Sequence, residues 1–206
     1  MTQKDPARPA PATGKSASPL LTIAPLTPDR WADCERLFGP RGACAGCWCM
    51  WWRLPRSEFG RMKGDGNHRA FKAIVDSGEV PGIIAYDVGE PVGWCSVAPR
   101  ESFSALERSR KLKRLDDQPV WSVVCFFVAK GHRRQGLTVR LLEAAADHAR
   151  AHGAQLLEGY PVEPDGDYPD VFAFTGLAGA FRQAGFVEVA RPSPRQRIMR
   201  RELGRA

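Results

Sequence analysis

The run VWSVVCFFV, residues 120–128, is the tightest constraint on how this chain folds. It is apolar except for Ser122, so a strand built from it shows apolar side chains on both faces and belongs in the middle of a covered sheet. The turn AKGHRRQGL follows, and then a helical pattern in which Leu137, Leu141, Leu142, Ala145 and Ala149 share one face and Gly153 closes the helix. A buried strand thus feeds a basic, glycine-bearing turn that opens a long amphipathic helix. The first amides of such a helix have no intrahelical acceptor and sit at the positive end of its dipole, which suits phosphate oxygens. Arg133 and Arg134 reinforce that field, Gly136 permits close backbone approach, and Thr138 can cap the helix or bond a phosphate. The same pattern also fits an ordinary strand-to-helix turn with exposed arginines. Neither G-x-x-x-x-G-K-[ST] nor a G-x-G-x-x-G after a strand occurs, so P-loop and Rossmann nucleotide sites fit poorly.

Around this junction the periodicities predict a mixed α/β sheet in one domain. LLTIAPL reads as a strand. TPDRWADCERLF reads as a helix with Thr27 as N-cap and Trp31, Cys34, Leu37 and Phe38 on one face, stopped by Gly39 and Pro40. HRAFKAIVDSG is a second helix with Phe71, Ile74 and Val75 inward. GIIAYDVGEPVGWCSVAP is an antiparallel hairpin turning at VGEP. ESFSALERSRKLKRLDDQP is a polar, basic helix and loop inserted before the central strand. AQLLEGYPV, GLAGAFRQAGF, FVEVARP and RQRIMRREL then read as strand, helix, strand, strand, with no internal repeat. Residues 1–19, with four Pro and four Ala, are expected to be a disordered tail, and 20–206 the domain.

At 206 residues the chain can bury a core without disulfides or a structural metal. Free thiols and a cytoplasmic location are expected, since no signal segment or membrane-length apolar run occurs. The net charge of +7 suggests an anionic partner. Nucleic acid is not expected, because the basic C-terminal stretch from Arg191 carries no aromatic residue for base stacking.

FFVAKGHRRQGLTVRLLEAA resembles the central signature of the GNAT superfamily, the acyl-CoA-dependent N-acyltransferases: an apolar strand ending in Val, then [RQ]-x-x-G-x-[GA] opening a helix, here Arg133-x-x-Gly136-x-Thr138. AFRQAGFVEV is similar to that family's late helix and strand, and the element order agrees from residue 20 to about 203. The resemblance implies a GNAT-like, mostly antiparallel sheet flanked by helices. It also implies acetyl-CoA as co-substrate, held by Arg133, Arg134, Gln135, Gly136, Leu137 and Thr138. Phe126, Phe127 and Val128 would pair with the pantetheine arm like an added strand. The expected activity is acetyl transfer to the primary amine of a small molecule by direct attack, without a metal. The other reading is a non-catalytic acyl-CoA binding or sensing module. Neither the acceptor, the acyl chain length nor the oligomeric state is legible, and a homodimer is compatible with the sequence.

The chain departs from the family pattern at Thr138, where a Gly or Ala is usual, and at Phe181, where many relatives carry a Tyr that protonates the leaving thiolate. Tyr160, Tyr168 and Glu158 are the remaining acid–base candidates. His148 and His152 lack the intervening Glu of H-E-x-x-H and read as surface residues near a helix end. ACAGCWCMWWR, residues 43–53, supplies three cysteines, one short of a zinc set and without a partner pair. Where relatives place the acceptor loop, Trp48, Trp51, Trp52 and Arg53 are expected to wall the acceptor site.

Overall fold

The structure, a computed structural model, describes residues 21–165 and 173–204. The expected tail and Tyr168 lie outside the described residues. Seven strands form one sheet in the order β1 (Leu21–Pro25), β2 (Gly82–Asp87), β3 (Glu90–Pro99), β4 (Trp121–Val128), β5 (Leu156–Gly159), β7 (Gln196–Glu202), β6 (Val187–Ser193). The apolar run is the fourth of seven, as its two-sided composition requires. Only the β4–β5 pairing is parallel; every other neighbour runs antiparallel. The β2–β3 hairpin turns on Val88 and Gly89, both at positive φ, the geometry that matches strand twist.

Helix α1 (Trp31–Phe38) buries the four predicted side chains and ends at Gly39, φ 63°. Its entry differs from expectation. Residues Pro28–Arg30 form a separate 3-10 turn, and the Thr27 hydroxyl caps no amide but accepts from Arg30 Nη1 at 2.8 Å. Helix α2 (Arg56–Met62) was not expected, because it has no buried side chain and so no apolar stripe to read. Helix α3 (Asp65–Asp76) buries Phe71 and Val75 while Ile74 is half-buried. The insertion after β3 holds the short α4 (Ser104–Glu107). Helix α5 (Leu137–Ala151) buries Leu137, Leu141, Leu142, Ala145, Ala146 and Ala149 against β2, β3 and β4. Helix α6 (Ala178–Gln183) packs beside α5.

The sheet therefore has two covered faces. One carries α5 and α6 over Val97, Val123 and Phe126. The other is divided between an aromatic cluster under α1 and α3 and a second cluster of Phe103, Leu106, Leu112, Val124 and Tyr160 beneath the insertion. No described helix is long and apolar enough to cross a membrane.

Candidate active site

Two irregularities open the centre of the sheet. In the β3–β4 ladder Ser96 faces Cys125 but Val97 faces Val123, so Val124 bulges out of the pairing. On the other side β4 pairs with β5 only from Trp121 to Val123 and then separates from it. Residue 129 donates to Val92 across the β3 ladder, so by alternation Phe126 and Val128 turn their amides and carbonyls into the gap.

That gap is partly filled. The Phe126 amide donates to the Phe174 carbonyl at 2.7 Å, and the Val128 carbonyl accepts from Arg133 Nε at 3.0 Å. A ligand arm would not find the full strand edge that the sequence resemblance implies. Phe127 lies on the opposite face, edge-on to Phe38 at 5.8 Å, and contributes packing there.

The turn after β4 is held from both sides. His132 Nε2 meets Asp87 Oδ2 at 3.2 Å, tying the turn to the end of β2, and Gln135 Nε2 donates to Gly131 O at 2.8 Å. Arg134, at φ 60°, and Gly136, at φ 79°, both adopt the left-handed conformation, which a non-glycine residue seldom takes unless its surroundings enforce it. Gly136 is the helix N-cap, and among the described residues no backbone carbonyl accepts from the amides of Arg134 to Thr138. Thr138 does not cap the helix. A Cβ built on Gly136 would meet nothing within 4 Å. The glycine is thus required by backbone geometry and by whatever approaches from outside, not by protein packing.

The acid–base candidates on β5 are engaged elsewhere. Glu158 Oε1 accepts from Arg100 Nη1 at 2.9 Å and from Tyr160 Oη at 2.6 Å, while Oε2 accepts from Arg200 Nε at 2.7 Å. Tyr160 Oη also meets Ser122 Oγ at 2.9 Å. Arg100 gives its other nitrogens to Glu107 and the Leu112 carbonyl. Arg100, Glu158 and Tyr160 are 0, 1 and 0% exposed. Burial first, and then the neighbouring Glu158 charge, push the Tyr160 hydroxyl well above its ordinary range. These groups clamp the insertion onto β4 and β5, and each is engaged by partners within the protein. Glu158 and Tyr160, expected as acid–base candidates, thus lie in a buried hydrogen-bonded network. Phe181, fully buried, packs edge-on to Phe126 and Phe186 and presses on Gly159 and Gly176, so it supplies no proton.

The cysteine–tryptophan run resolves into separate roles. Ala43, Ala45, Trp48 and Cys49 all have positive φ, a strained path made compact by Gly42, where a Cβ would sit 2.3 Å from Trp48 Nε1. Trp48 is buried against Trp31, Phe38 and His68, so the expectation that it walls a pocket is corrected: it is core. Trp51 meets Phe59 edge-on and lies under the Arg56 guanidinium. Trp52 packs against the cluster that contains Val124 and touches Cys125. Arg53 is 8% exposed; its Nη1 pairs with Glu79 at 2.9 Å, but Nε and Nη2 are buried without partners.

Beside Arg53 lies a corner that sequence reasoning missed. Cys49 Sγ accepts from Trp94 Nε1 at 2.9 Å. The Cys125 thiol chiefly, then the Trp94 indole, the Arg53 charge and Ser96, hold Cys49 below the usual thiol range against its burial. Cys125, on β4 beside the bulge, donates to the Phe126 carbonyl at 3.9 Å, and the neighbouring Cys49 first, then desolvation, push its thiol well above the usual range. Of the two, Cys49 ionises first. Nothing in the spacing of residues 49, 94 and 125 could have revealed this meeting of three distant segments. Among the described residues, no group of three or more His, Cys, Asp or Glu is arranged to hold a metal.

Two hollows flank this region. A groove of about 470 Å³ is lined by Trp52, Arg56, Arg108, Lys111, Leu112 and Gln196, among others. A larger one, about 580 Å³, surrounds Trp121 and His152 at the opposite end of β4, away from the open edge and the Gly136 turn, so the first is the one relevant here.

The acetyltransferase (GNAT) family model matches residues 48–167, more than half of the chain and including the open strand and its turn. The chain belongs to the GNAT acetyltransferase family. Solved GNAT folds agree. An acetyltransferase of the GNAT family from Listeria monocytogenes is similar over 92% of this chain and 99% of its own, with TM-score 0.54 and 10% identity. One from Streptococcus pneumoniae matches 89% and 99%, with TM-score 0.52 and 13% identity. The yncA protein of Salmonella typhimurium, solved with its cofactor acetyl-CoA, matches 90% and 95%, with TM-score 0.51 and 15% identity. At such identities the likeness is one of fold. No curated protein matches the chain.

Proposed function

We propose that this GNAT chain transfers the acetyl group of acetyl-CoA to the primary amine of a small molecule. The observation that carries this reading is the continuity between the gap beside β4 and the turn of amides ending at Gly136. Amides of residues 134–138, with Arg133 and Arg134 beside them, suit the pyrophosphate. The Val128 amide and Phe126 carbonyl suit the pantetheine amides. The solved relative with acetyl-CoA supports the choice of ligand. In the transfer, the amine nitrogen bonds to the thioester carbonyl carbon, the carbon–sulfur bond breaks, and CoA departs as a thiolate of low basicity, which needs no strong acid. For the proton lost by the amine we assign Cys49, a buried thiol held below the usual thiol range chiefly by Cys125 of β4.

A second reading, acyl-CoA binding without turnover, is favoured by one observation: Phe181 carries no ionisable group, and Tyr160 and Glu158 are buried in a hydrogen-bonded network with Arg100 and Arg200. Thiol release from acetyl-CoA across a panel of primary amines separates the two. Release with at least one amine supports transfer, and tight CoA binding with silence throughout supports the second reading. Gly136→Val should reduce CoA affinity by tenfold or more, roughly, because the Cβ and its methyls enter the ligand's space. Unchanged affinity in calorimetry would remove the turn from the site.

A further inference from the structure

The groove over Trp52 carries positive charge that its surroundings leave uncancelled. Arg56 donates Nη1 to the Trp51 carbonyl at 2.5 Å and lies 3.3 Å from the Trp51 ring centre and 5.1 Å from that of Trp52. Stacking on two indoles holds the guanidinium plane in place. Arg108 and Lys111, exposed residues of the insertion, belong to the same lining. Among the described residues no carboxylate pairs with Arg56, Arg108 or Lys111. The contrast within the insertion is direct, since Arg100 and Arg114 are paired with Glu101, Glu107 and Glu158. No Asp or Glu contributes to the groove.

Three cations whose fields reinforce one another, one of them a planar guanidinium held by stacking, make an environment that favours an oxyanion and repels a cation. The groove also has an inner end: Trp52 packs on the cluster that holds Val124 and borders Cys125, where β4 bulges and leaves β5. We propose that this groove binds the oxyanion of the acceptor, a carboxylate or a phosphate, so that the acceptor is a small amine bearing an anionic group. This rests on the acetyl-transfer reading and narrows its substrate class. Arg56 grips the oxyanion, Arg108 and Lys111 draw it in, and the amine end extends past Trp52 to the open stretch of β4. The attraction is long-ranged and partly solvated, so it acts on KM and weakens with salt.

The test compares matched amines: β-alanine against β-alaninamide, and O-phosphoethanolamine against ethanolamine, each with saturating acetyl-CoA. The expected result is a kcat/KM for at least one anionic member about tenfold or more above its neutral partner, carried mainly by KM and shrinking with added salt. The two pairs distinguish carboxylate from phosphate. In Arg108→Glu/Lys111→Glu that ratio should fall to about one or invert, whereas Lys113→Glu, an exposed charge of the same insertion outside the groove, should leave it as in wild type. Equal or better use of the neutral amines, or a ratio untouched by the double reversal, overturns the proposal. If CoA binds but no amine turns over, the transfer reading has failed separately. Calorimetry of β-alanine and O-phosphoethanolamine with the CoA-loaded protein then decides: binding lost in the double variant supports the oxyanion site, and no binding by wild type overturns it.

Discussion

Two buried polar clusters flank the central strand, and they are completed to different degrees. Around Glu158 both carboxylate oxygens, the Tyr160 hydroxyl and every nitrogen group of Arg100 have partners within the protein. Around Arg53 one nitrogen is paired, two are bare, a neighbouring indole N–H is bare, and a thiol is surrounded by donors. A buried network that satisfies itself rigidifies a fold and has nothing left to offer a ligand. One left incomplete stores the demand for a partner. Glu158 and Tyr160, the most conspicuous ionisable residues beside the central strand, are spent on one another and on arginines, whereas the less conspicuous corner at Cys49 and Arg53 keeps unpaired donors.

Stability measurements can break that comparison. Arg100→Met leaves Glu158 short of one buried partner and the Leu112 carbonyl without its donor, takes one of two arginines from Glu107, and should destabilise the full chain by about 3–5 kcal/mol in urea unfolding. Arg53→Met removes a guanidinium already missing two bonds and frees a Glu79 that is half-exposed, so its change should stay within about 1 kcal/mol of wild type. Similar losses in both variants would erase the distinction.

A smaller effect sharpens it at the opposite end of β4. His148 Nε2 is buried without a partner, and the ring sits beside Trp121 and His152. Burial, and then the His152 charge, hold its pKa down to about 4 from an ordinary 6.5. Because the folded value lies below the unfolded one, the unfolded chain binds the proton first. Stability is therefore full above about pH 6.5 and falls as pH drops from there toward 4. In His148→Gln the decline of Tm between pH 7 and pH 4 should be visibly shallower. An identical slope would show that the imidazole is not what titrates.

Much of the architecture was legible because burial imposes periodicity. The two-sided run at 120–128 had to be central, the stripe from Leu137 to Ala149 had to face the sheet, and Gly89, Gly136 and Gly153 stand where the backbone needs positive φ. Helix α2 escaped because it buries no side chain fully and touches the core through Phe59 rather than through an apolar stripe. The expected aromatic wall divides: Trp52 lines the groove, but Trp48, four positions earlier on a strained loop, is consumed by core packing that composition cannot distinguish from pocket lining.

The sequence by itself determined the order of the elements, the central strand and the anion-ready turn, since these follow from short-range pattern: residue alternation, helical stripe and glycine placement. Tertiary structure alone decided which polar groups are spent and which are available. Glu158, Arg100 and Arg200 come from three distant segments, as do Cys49, Trp94 and Cys125, and the groove joins the Trp52 loop to the insertion and the β6–β7 hairpin. Whether a charge is neutralised depends on its neighbours in space, and at sequence separations of 40 residues or more, roughly, local patterning carries no trace of them.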